Sequence, residues 1–471
     1  MTKKFFKSPS PFVAQPRKTH IILHTLEEKS FSAWLKKQPE TVQTLAKSGG
    51  FGAKPGHILP VPDAKGQVKE IYIGVKPAPG FYDFADIAAA VKKAFSPAFL
   101  KTASFEIKGL KGEDLTKASI GWGLAAYKFD AYKKDEGEYP ALLWGKEADR
   151  KRVTTVTGAL ALLRNMINTP ANDMGPQELE DVVRSLAAAH KAKIKITSGK
   201  ELEKNFPLVH AVGDSSPRRP RLIDMSWGAA KAPKVTLVGK GVCFDTGGLD
   251  IKPSSYMKLM KKDMGGAAHA IALAQMIMSL KLPVRLRLII PAVENSVSGT
   301  SFRPGDVFTS RKGTTVENTN TDAEGRLILA DALTLASEEK PDLIVDFATL
   351  TGSARAALGP DIPAMFSNHD STGKKLQKAS ESAEDPLWQM PLWQPYRKHI
   401  ESNVAELHNS ASIPGDLIYS ALFLESFLIG KPDWVHIDTF AWEQTGRAGR
   451  PAGAADCGLR AVFAYLEERY G

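Results

Sequence analysis

VTLVGKGVCFDTGGLDIK, residues 235–252, begins as a short strand and runs directly into a glycine-rich loop. VTLVG is mostly apolar, rich in β-branched residues and followed by turn-forming residues, the pattern of a buried strand. Gly241, Gly247 and Gly248 allow backbone conformations closed to other residues, so Lys240, Asp245 and Lys252 can crowd around one loop. Three further runs share the character of VTLVG: VRLRLII (284–290), DLIVDFA (342–348) and WVHID (434–438). Helical stretches lie among them, namely GGAAHAIALAQMIMSL after Asp263, LILADALTLASEE, and ALFLESFL. Short apolar strands alternating with helices predict a parallel sheet covered on both faces. Ligands of such sheets bind beyond the carboxyl ends of the strands, where the loop after VTLVG is placed.

At 471 residues the chain is too long for one typical core. The first 150 residues mix strands such as EIYIGV (70–75) with helices such as FADIAAAVKKAF (84–95), and they hold no catalytic motif. Residues 151–167 carry apolar side chains at helical spacing. That helix is expected to stop near NTPAND (168–173), because Pro170 disfavours helix at Thr169 and Asn and Asp favour turns. The predicted architecture is α/β with two domains. A small N-terminal α/β domain spans 1–150, a linker helix 151–168, and a larger catalytic domain 169–471 with a mostly parallel central sheet flanked by helices.

Two cysteines, Cys243 and Cys457, with no CxxC pair, exclude a disulfide framework and a zinc finger and point to a reducing compartment. The basic N-terminal stretch has no apolar core, so no signal peptide is expected. The late apolar run LIYSALFLESFLIG is too short to span a bilayer and contains Glu425. A cytoplasmic protein without membrane contact is predicted. The net charge of +10 is concentrated at the start, with 24 Lys/Arg against 16 Asp/Glu in the first 150 residues. Such a domain could touch nucleic acid. Its lysines are scattered rather than clustered, which favours a plain solubilising role.

The second informative run is NTDAEGRL (320–327). In extended backbone Asp322, Glu324 and Arg326 would point to one face, ahead of LILADALTLA, which reads as a buried helix. Two carboxylates held against an apolar element need a counter-charge, and a divalent metal supplies one; the plain alternative is a charged turn at a helix N-terminus. Asp263, before a Gly-Gly pair, reads alternatively as a helix cap. A phosphate-binding loop at 239–252 is unsupported, because the glycines fit neither standard spacing and the acidic residues would repel phosphate. No GxSxG elbow is present, so a serine hydrolase is unsupported as well.

Taken together, these blocks resemble the leucyl (cytosol) aminopeptidases, a family of dinuclear metallopeptidases. NTDAEGRL matches the family signature, VGKGVCFDTGGLDIKP the first metal-binding loop, KKDMGGAA the second, and ATLTG a substrate-side loop, in the same order and spacing. The likeness is dense over roughly 160–460 and weak over the first 150 residues. It implies that Lys240, Asp245, Asp263, Asp322 and Glu324 hold two divalent ions per subunit (Mn²⁺ or Zn²⁺, with Mg²⁺ also allowed by the donor set). Asp245 and Glu324 would bridge both ions, Lys240 and Asp263 would complete one, and Asp322 the other. Lys252 and Arg326 would be the catalytic pair, with a bicarbonate ion at Arg326 relaying a proton. A lysine ligand must be neutral, a condition that two nearby cations favour.

The function implied is release of N-terminal residues, Leu- or Met-like, from short peptides by a hydroxide activated between two metals. The substrate's free α-amine would bind one ion, which accounts for exopeptidase action. Met260, Thr349, Leu350 and Gly352 fall where the family contacts substrate. Ala454, with Ala455, is expected to widen that pocket. The family also implies a homohexamer. The alternative is a multifunctional DNA-binding protein using the basic N-terminal domain. His436 and Asp438 look like a dyad, but on a buried strand a structural role is expected; Cys243 is expected to be a packed side chain.

Overall fold

The computed structural model describes residues 4–8, 10–133 and 137–471. Residues 1–3 and 9 of the basic N-terminal stretch therefore lie outside the described residues. Internal contacts divide the chain into two units, Lys7–Ala161 with Gln444–Ala452, and Met1–Phe6 with Leu162–Glu443 and Gly453–Gly471. The division falls inside the helix Arg150–Asn168. Residues 444–452 lie within the span expected to be wholly catalytic, yet they cluster with the first unit. Gly449 (φ +75°) lies so close to Ala85 and Tyr82 of that unit that a Cβ there would sit 2.9 Å from Ala85.

The first unit is an α/β layer built on a six-stranded sheet, parallel except for the pairing of Ile58–Pro62 with Val68–Val75. Its core joins Ile21, Leu23, Ile71, Phe84, Phe105 and Trp122. The indole of Trp122 is fully buried and donates its Nε1–H to the Pro140 carbonyl at 2.8 Å, so the one polar group of that side chain is satisfied.

The second unit is built on a nine-stranded sheet. Its order is Trp388–Gln389, Ala364–Ser367, Trp434–Asp438, Leu343–Ala348, Lys234–Gly239, Arg285–Asn295, Arg221–Trp227 and Lys193–Ser198, with Gly241–Asp245 also paired to Arg285–Asn295. The four strands legible in the sequence are the four in the middle, and they run parallel. The sheet is mostly parallel at its heart and antiparallel towards its edges.

Every residue of Leu343–Ala348 is buried, as a strand covered on both faces requires. Ile344 and Ala348 join the core that includes Leu327 and Leu333 of the helix Glu324–Glu338. Phe347 points the other way and stacks on His269 of the helix Gly265–Leu280, ring centroids 5.6 Å apart. The one charged residue of the strand, Asp346, accepts from Trp434 Nε1 at 2.7 Å and from His436 Nδ1 at 2.6 Å. His436 is thus structural, and Asp346 raises its pKa against the lowering effect of burial. No helix among the described residues is long and apolar enough to cross a membrane.

The helix Gly265–Leu280 begins hard against the strand ends. A Cβ on Gly266 would lie 2.1 Å from the Phe347 carbonyl oxygen, and one on Gly239 would lie 2.6 Å from Ala267 Cα. This approach lets Ala267 N donate to the Lys240 carbonyl at 2.8 Å while Lys240 N donates to the Phe347 carbonyl at 3.0 Å. Gly266→Ala is therefore expected to lower unfolding stability by at least ~2 kcal/mol through overpacking, read as a shift in the urea midpoint.

Candidate metal centre

Each functional side chain leaves the carboxyl end of a strand or the start of a helix. Lys240 is the single residue between the strands Lys234–Gly239 and Gly241–Asp245, and Asp245 closes the second of these. Asp263 lies on the 3₁₀ turn Met260–Met264 that leads into Gly265–Leu280. Asp322 sits on the 3₁₀ turn Thr321–Ala323, and Glu324 opens the helix that follows. Gly247 (φ +87°) and Gly248 (φ +64°) fold the loop after Asp245 back onto this turn, close enough that a Cβ on Gly247 would sit 3.1 Å from Asp322 Oδ1.

The structure brings all five expected ligands together. Carboxylate oxygens of Asp245, Asp322 and Glu324 lie within 4.8 Å of one another. Lys240 Nζ is 2.8 Å from Asp263 Oδ2 and 3.0 Å from Glu324 Oε1. Lys252 Nζ is 2.9 Å from Asp245 Oδ2 and also contacts Asp322 Oδ1. The arrangement is braced from behind. Asp245 Oδ1 accepts from Gly247 N at 2.8 Å and from Asn295 Nδ2 at 2.9 Å. Thr349 donates its hydroxyl to Asp263 Oδ1 at 2.7 Å and receives Lys240 Nζ on its carbonyl at 2.9 Å.

The electrostatics are those of a cation site. Burial and the Asp245 carboxylate push the Glu324 pKa well above its ordinary value, and the same two causes push Asp322 up to about 6. Burial acts to lower the Lys240 pKa, but the carboxylates of Asp263 and Glu324 outweigh it and raise the value. The protein groups by themselves thus hold Lys240 as an ammonium. A cation at the same carboxylates would reverse that balance, which is the condition for Lys240 to offer a lone pair. The donor set fits such an ion. Asp263 Oδ2, Asp322 Oδ1 and both Glu324 oxygens are buried and accept no well-formed hydrogen bond. Carboxylate oxygens with one nitrogen suit Mn²⁺, Zn²⁺ and Mg²⁺.

One expectation is corrected here. NTDAEGRL is not extended, because the Asn320 side chain accepts from Asp322 N at 2.8 Å and starts a turn that becomes helix. Asp322 and Glu324 converge through that turn. Arg326 lies two residues further along the helix, about 200° around its axis, and goes elsewhere. It donates Nη1–H to the Asn409 carbonyl at 2.6 Å and pairs through Nη2 with Asp416 Oδ1 at 3.2 Å; Nε has no partner. Asp416 also accepts from the hydroxyls of Ser353 and Ser420. Asp416 thus engages Nη2 alone and leaves Nε open, and the bicarbonate expected at Arg326 stays an expectation of the family resemblance.

Beside the ligands opens a cleft of about 350 Å³, lined by Met260, Thr349, Leu350 and Gly352 among others. Ala454 does not line it. It is buried in the short strand Gly453–Ala454, where its N–H donates to Asn168 Oδ1 at 2.9 Å. Asp438 ties down the cleft's loop, accepting from Leu350 N at 2.9 Å and from Thr351 N at 3.0 Å. Cys243 is buried away from the ligands, and burial pushes its thiol pKa well up. Asn295, Asp416, Lys262, Arg355 and Phe440 escaped the sequence reading. Only Asn295, at the end of a strand legible in the sequence, gave a positional clue.

Four carboxylates and two lysines gathered at the carboxyl edge of a parallel sheet, with buried oxygens left for shared cations, define a dinuclear metal-dependent hydrolase. Comparisons with known proteins make this specific. The catalytic-domain model of the cytosol aminopeptidase family matches residues 161–463, and the M17 aminopeptidase N-terminal domain model matches 21–144. A probable cytosol aminopeptidase of Syntrophotalea carbinolica is 40% identical over 364 residues, covering 73% of each chain. The crystal structure of the cytosol aminopeptidase from Coxiella burnetii aligns with a TM-score of 0.92 at 45% identity, covering 98% of this chain and 100% of that one. The bottromycin maturation enzyme BotP, solved in complex with Mn, aligns with a TM-score of 0.84 at 30% identity, covering 96% and 99%. The chain belongs to the cytosol aminopeptidase family and is a metal-dependent aminopeptidase.

Two outcomes are expected of the centre. Gly325→Ala would place a Cβ 2.5 Å from Lys240 Cε, so elemental analysis should find fewer metal ions per chain than in wild type. The Asp322 and Glu324 pKa values are raised on folding. Both groups therefore favour the fold at low pH and lose that contribution as pH rises, Asp322 through about 6. Cations bind the deprotonated carboxylates, so metal should raise Tm more at about pH 7.5 than at about pH 5.

Proposed function

We propose that this aminopeptidase removes N-terminal residues from short peptides with a hydroxide generated between two divalent ions. The observation that carries the reading is the cluster of Asp245, Asp322 and Glu324, whose oxygens lie within 4.8 Å of one another, beside a cleft of peptide dimensions. Lys240 and Asp263 would hold one ion, Asp322 the other, and Asp245 and Glu324 would be shared. Two such cations supply Lewis-acid activation of a water molecule at neutral pH.

The remaining work falls to residues of the chain. Lys252 is held at the cleft wall by Asp245 and Asp322, and these carboxylates, with Glu324, raise its pKa despite burial. It stays an ammonium and can stabilise negative charge developing on the carbonyl oxygen. Arg326 keeps Nε without a partner, and that is the donor left to serve the reaction. Thr349 orients both Asp263 and Lys240. Met260 and Leu350 give the cleft an apolar wall, which supports N-terminal side chains with an aliphatic stem, Leu and Met among them.

Mn²⁺ and Zn²⁺ are the ions proposed, a cytosolic location follows the naming of the relatives, and a homohexamer is carried over from the family resemblance, to be checked by light scattering. A DNA-binding role for the first unit finds no support in the family matches. Several of its lysines are already paired with carboxylates, among them Lys76 with Asp83 and Lys108 with Glu106.

Glu324→Ala is expected to lower kcat/KM on an aminoacyl anilide by about a thousandfold or more and to reduce bound metal. Wild-type activity in that variant would sink the two-ion proposal. Arg326→Ala should slow turnover while metal content stays at the wild-type level; loss of metal instead would make Arg326 structural. Metal-stripped protein reloaded with each ion singly identifies the effective one.

A further inference from the structure

The cleft carries two cations that form no hydrogen bond or ion pair with the metal centre, although Lys262 feels the charge of its neighbour Asp263. Lys262 follows Met260 on the same 3₁₀ turn, is 6% exposed and lines the cleft. Its ammonium lies 4.8 Å from the centroid of the Phe440 ring. Arg355 lies three residues beyond Gly352 on the helix Gly352–Leu358, and its guanidinium sits 4.6 Å from the same ring. Among the described residues neither side chain has a hydrogen bond or an ion pair. Lys240 and Lys252, by contrast, each meet two carboxylates.

Lys262 is buried with only the more distant charges of Asp263 and Asp438 to offset it, and Arg355 is half-buried with no ion pair; such cations gain from an anion, and an aromatic face compensates only in part. The position is therefore built for an anion that arrives with the ligand. Its walls agree. Met260, Leu350 and Phe440 offer apolar surface in the same cleft as the metal ligands and the two cations, suited to the methylene stem of a side chain that ends in a carboxylate. Loading the four ligand carboxylates with two divalent ions would leave Lys262 and Arg355 more nearly uncompensated still.

We propose that Lys262 and Arg355 select substrates whose N-terminal residue carries an acidic side chain, Glu or Asp, with Phe440 packing its stem. The proposal rests on the aminopeptidase reading of the site and narrows it, since the Leu- or Met-like preference expected from sequence uses only the apolar wall.

The test uses the metal-loaded full-length protein and the p-nitroanilides of Glu, Gln and Leu, which have no C-terminal carboxylate. Glu is expected to exceed its neutral isostere Gln in kcat/KM by about tenfold or more, as a charge pair in a partly desolvated pocket allows. Lys262→Met and Arg355→Gln should each lower the Glu/Gln ratio, chiefly through KM, and the double variant should bring it close to one. Arg355→Lys should retain most of it. Continued hydrolysis of the Leu substrate reports that the variants are folded.

A wild-type Glu/Gln ratio of one or less, or a ratio unchanged in the double variant, overturns the proposal. So does a preference for Leu-Gly over Leu-Gly-amide without a preference for Glu over Gln, which would make the pair a reader of the peptide C-terminus. If no anilide is cleaved, the peptidase reading fails separately. Calorimetry with free glutamate and glutamine then decides the pocket, tighter glutamate supporting it and equal affinity overturning it.

Discussion

Negative charge packed at the end of a buried sheet governs this molecule. Asp245, Asp263 and Glu324 are each 3% exposed or less, and Asp322 stands beside them. Carboxylates this close and this dry cannot all ionise without cations among them. The chain pairs two directly with them, Lys240 and Lys252, each placed between a pair of carboxylates. Two positive charges do not match four negative ones, and Glu324 Oε2 is left with neither a hydrogen bond nor a lysine. That residual imbalance is the physical content of the word "metallopeptidase" here. It also explains the rigidity of the surroundings. Asn295, Gly247 N and Thr349 hold two of the mutually repelling oxygens in place, Asp245 Oδ1 and Asp263 Oδ1, so that the energy of assembling the site is carried by the fold.

How far the sequence reveals this depends on the kind of signal. The four central strands are continuous apolar runs that a covered parallel sheet demands, and they are legible from composition and length alone. The outer strands Lys193–Ser198 and Arg221–Trp227 carry polar residues among the apolar ones and so leave no continuous apolar run. The glycine-rich loop after VTLVG and the paired acids of NTDAEGRL drew attention to charge at strand ends, but the full set of five ligands was legible only through the family resemblance. The geometry of NTDAEGRL was not, because a period-two reading assumes extended backbone. A single side chain, Asn320, overrides that assumption by capping a turn.

Arg326 shows the limit most clearly. Its partners Asn409 and Asp416 lie 83 and 90 residues away in the chain, beyond any local pattern. Lys262 and Arg355 leave no local pattern either, since a lone cation looks like ordinary surface charge until its place against Phe440 in the cleft is known.

The loop 349–352 joins recognition to catalysis. Its first residue grips the metal cradle on both sides, Asp263 through the hydroxyl and Lys240 through the carbonyl. Its next two residues are fixed to Asp438 at the end of a buried strand, and Leu350 and Gly352 form cleft wall. From Gly352 the chain turns directly into the helix that carries Arg355. The wall that touches a substrate side chain and the carboxylates that hold cations are therefore parts of one tethered segment. A side chain that presses on Leu350 or pairs with Arg355 acts on the same few residues that orient Asp263. Specificity in this cleft can consequently be expressed in turnover as well as in affinity, because fit at the wall and alignment at the metal ligands are not independent.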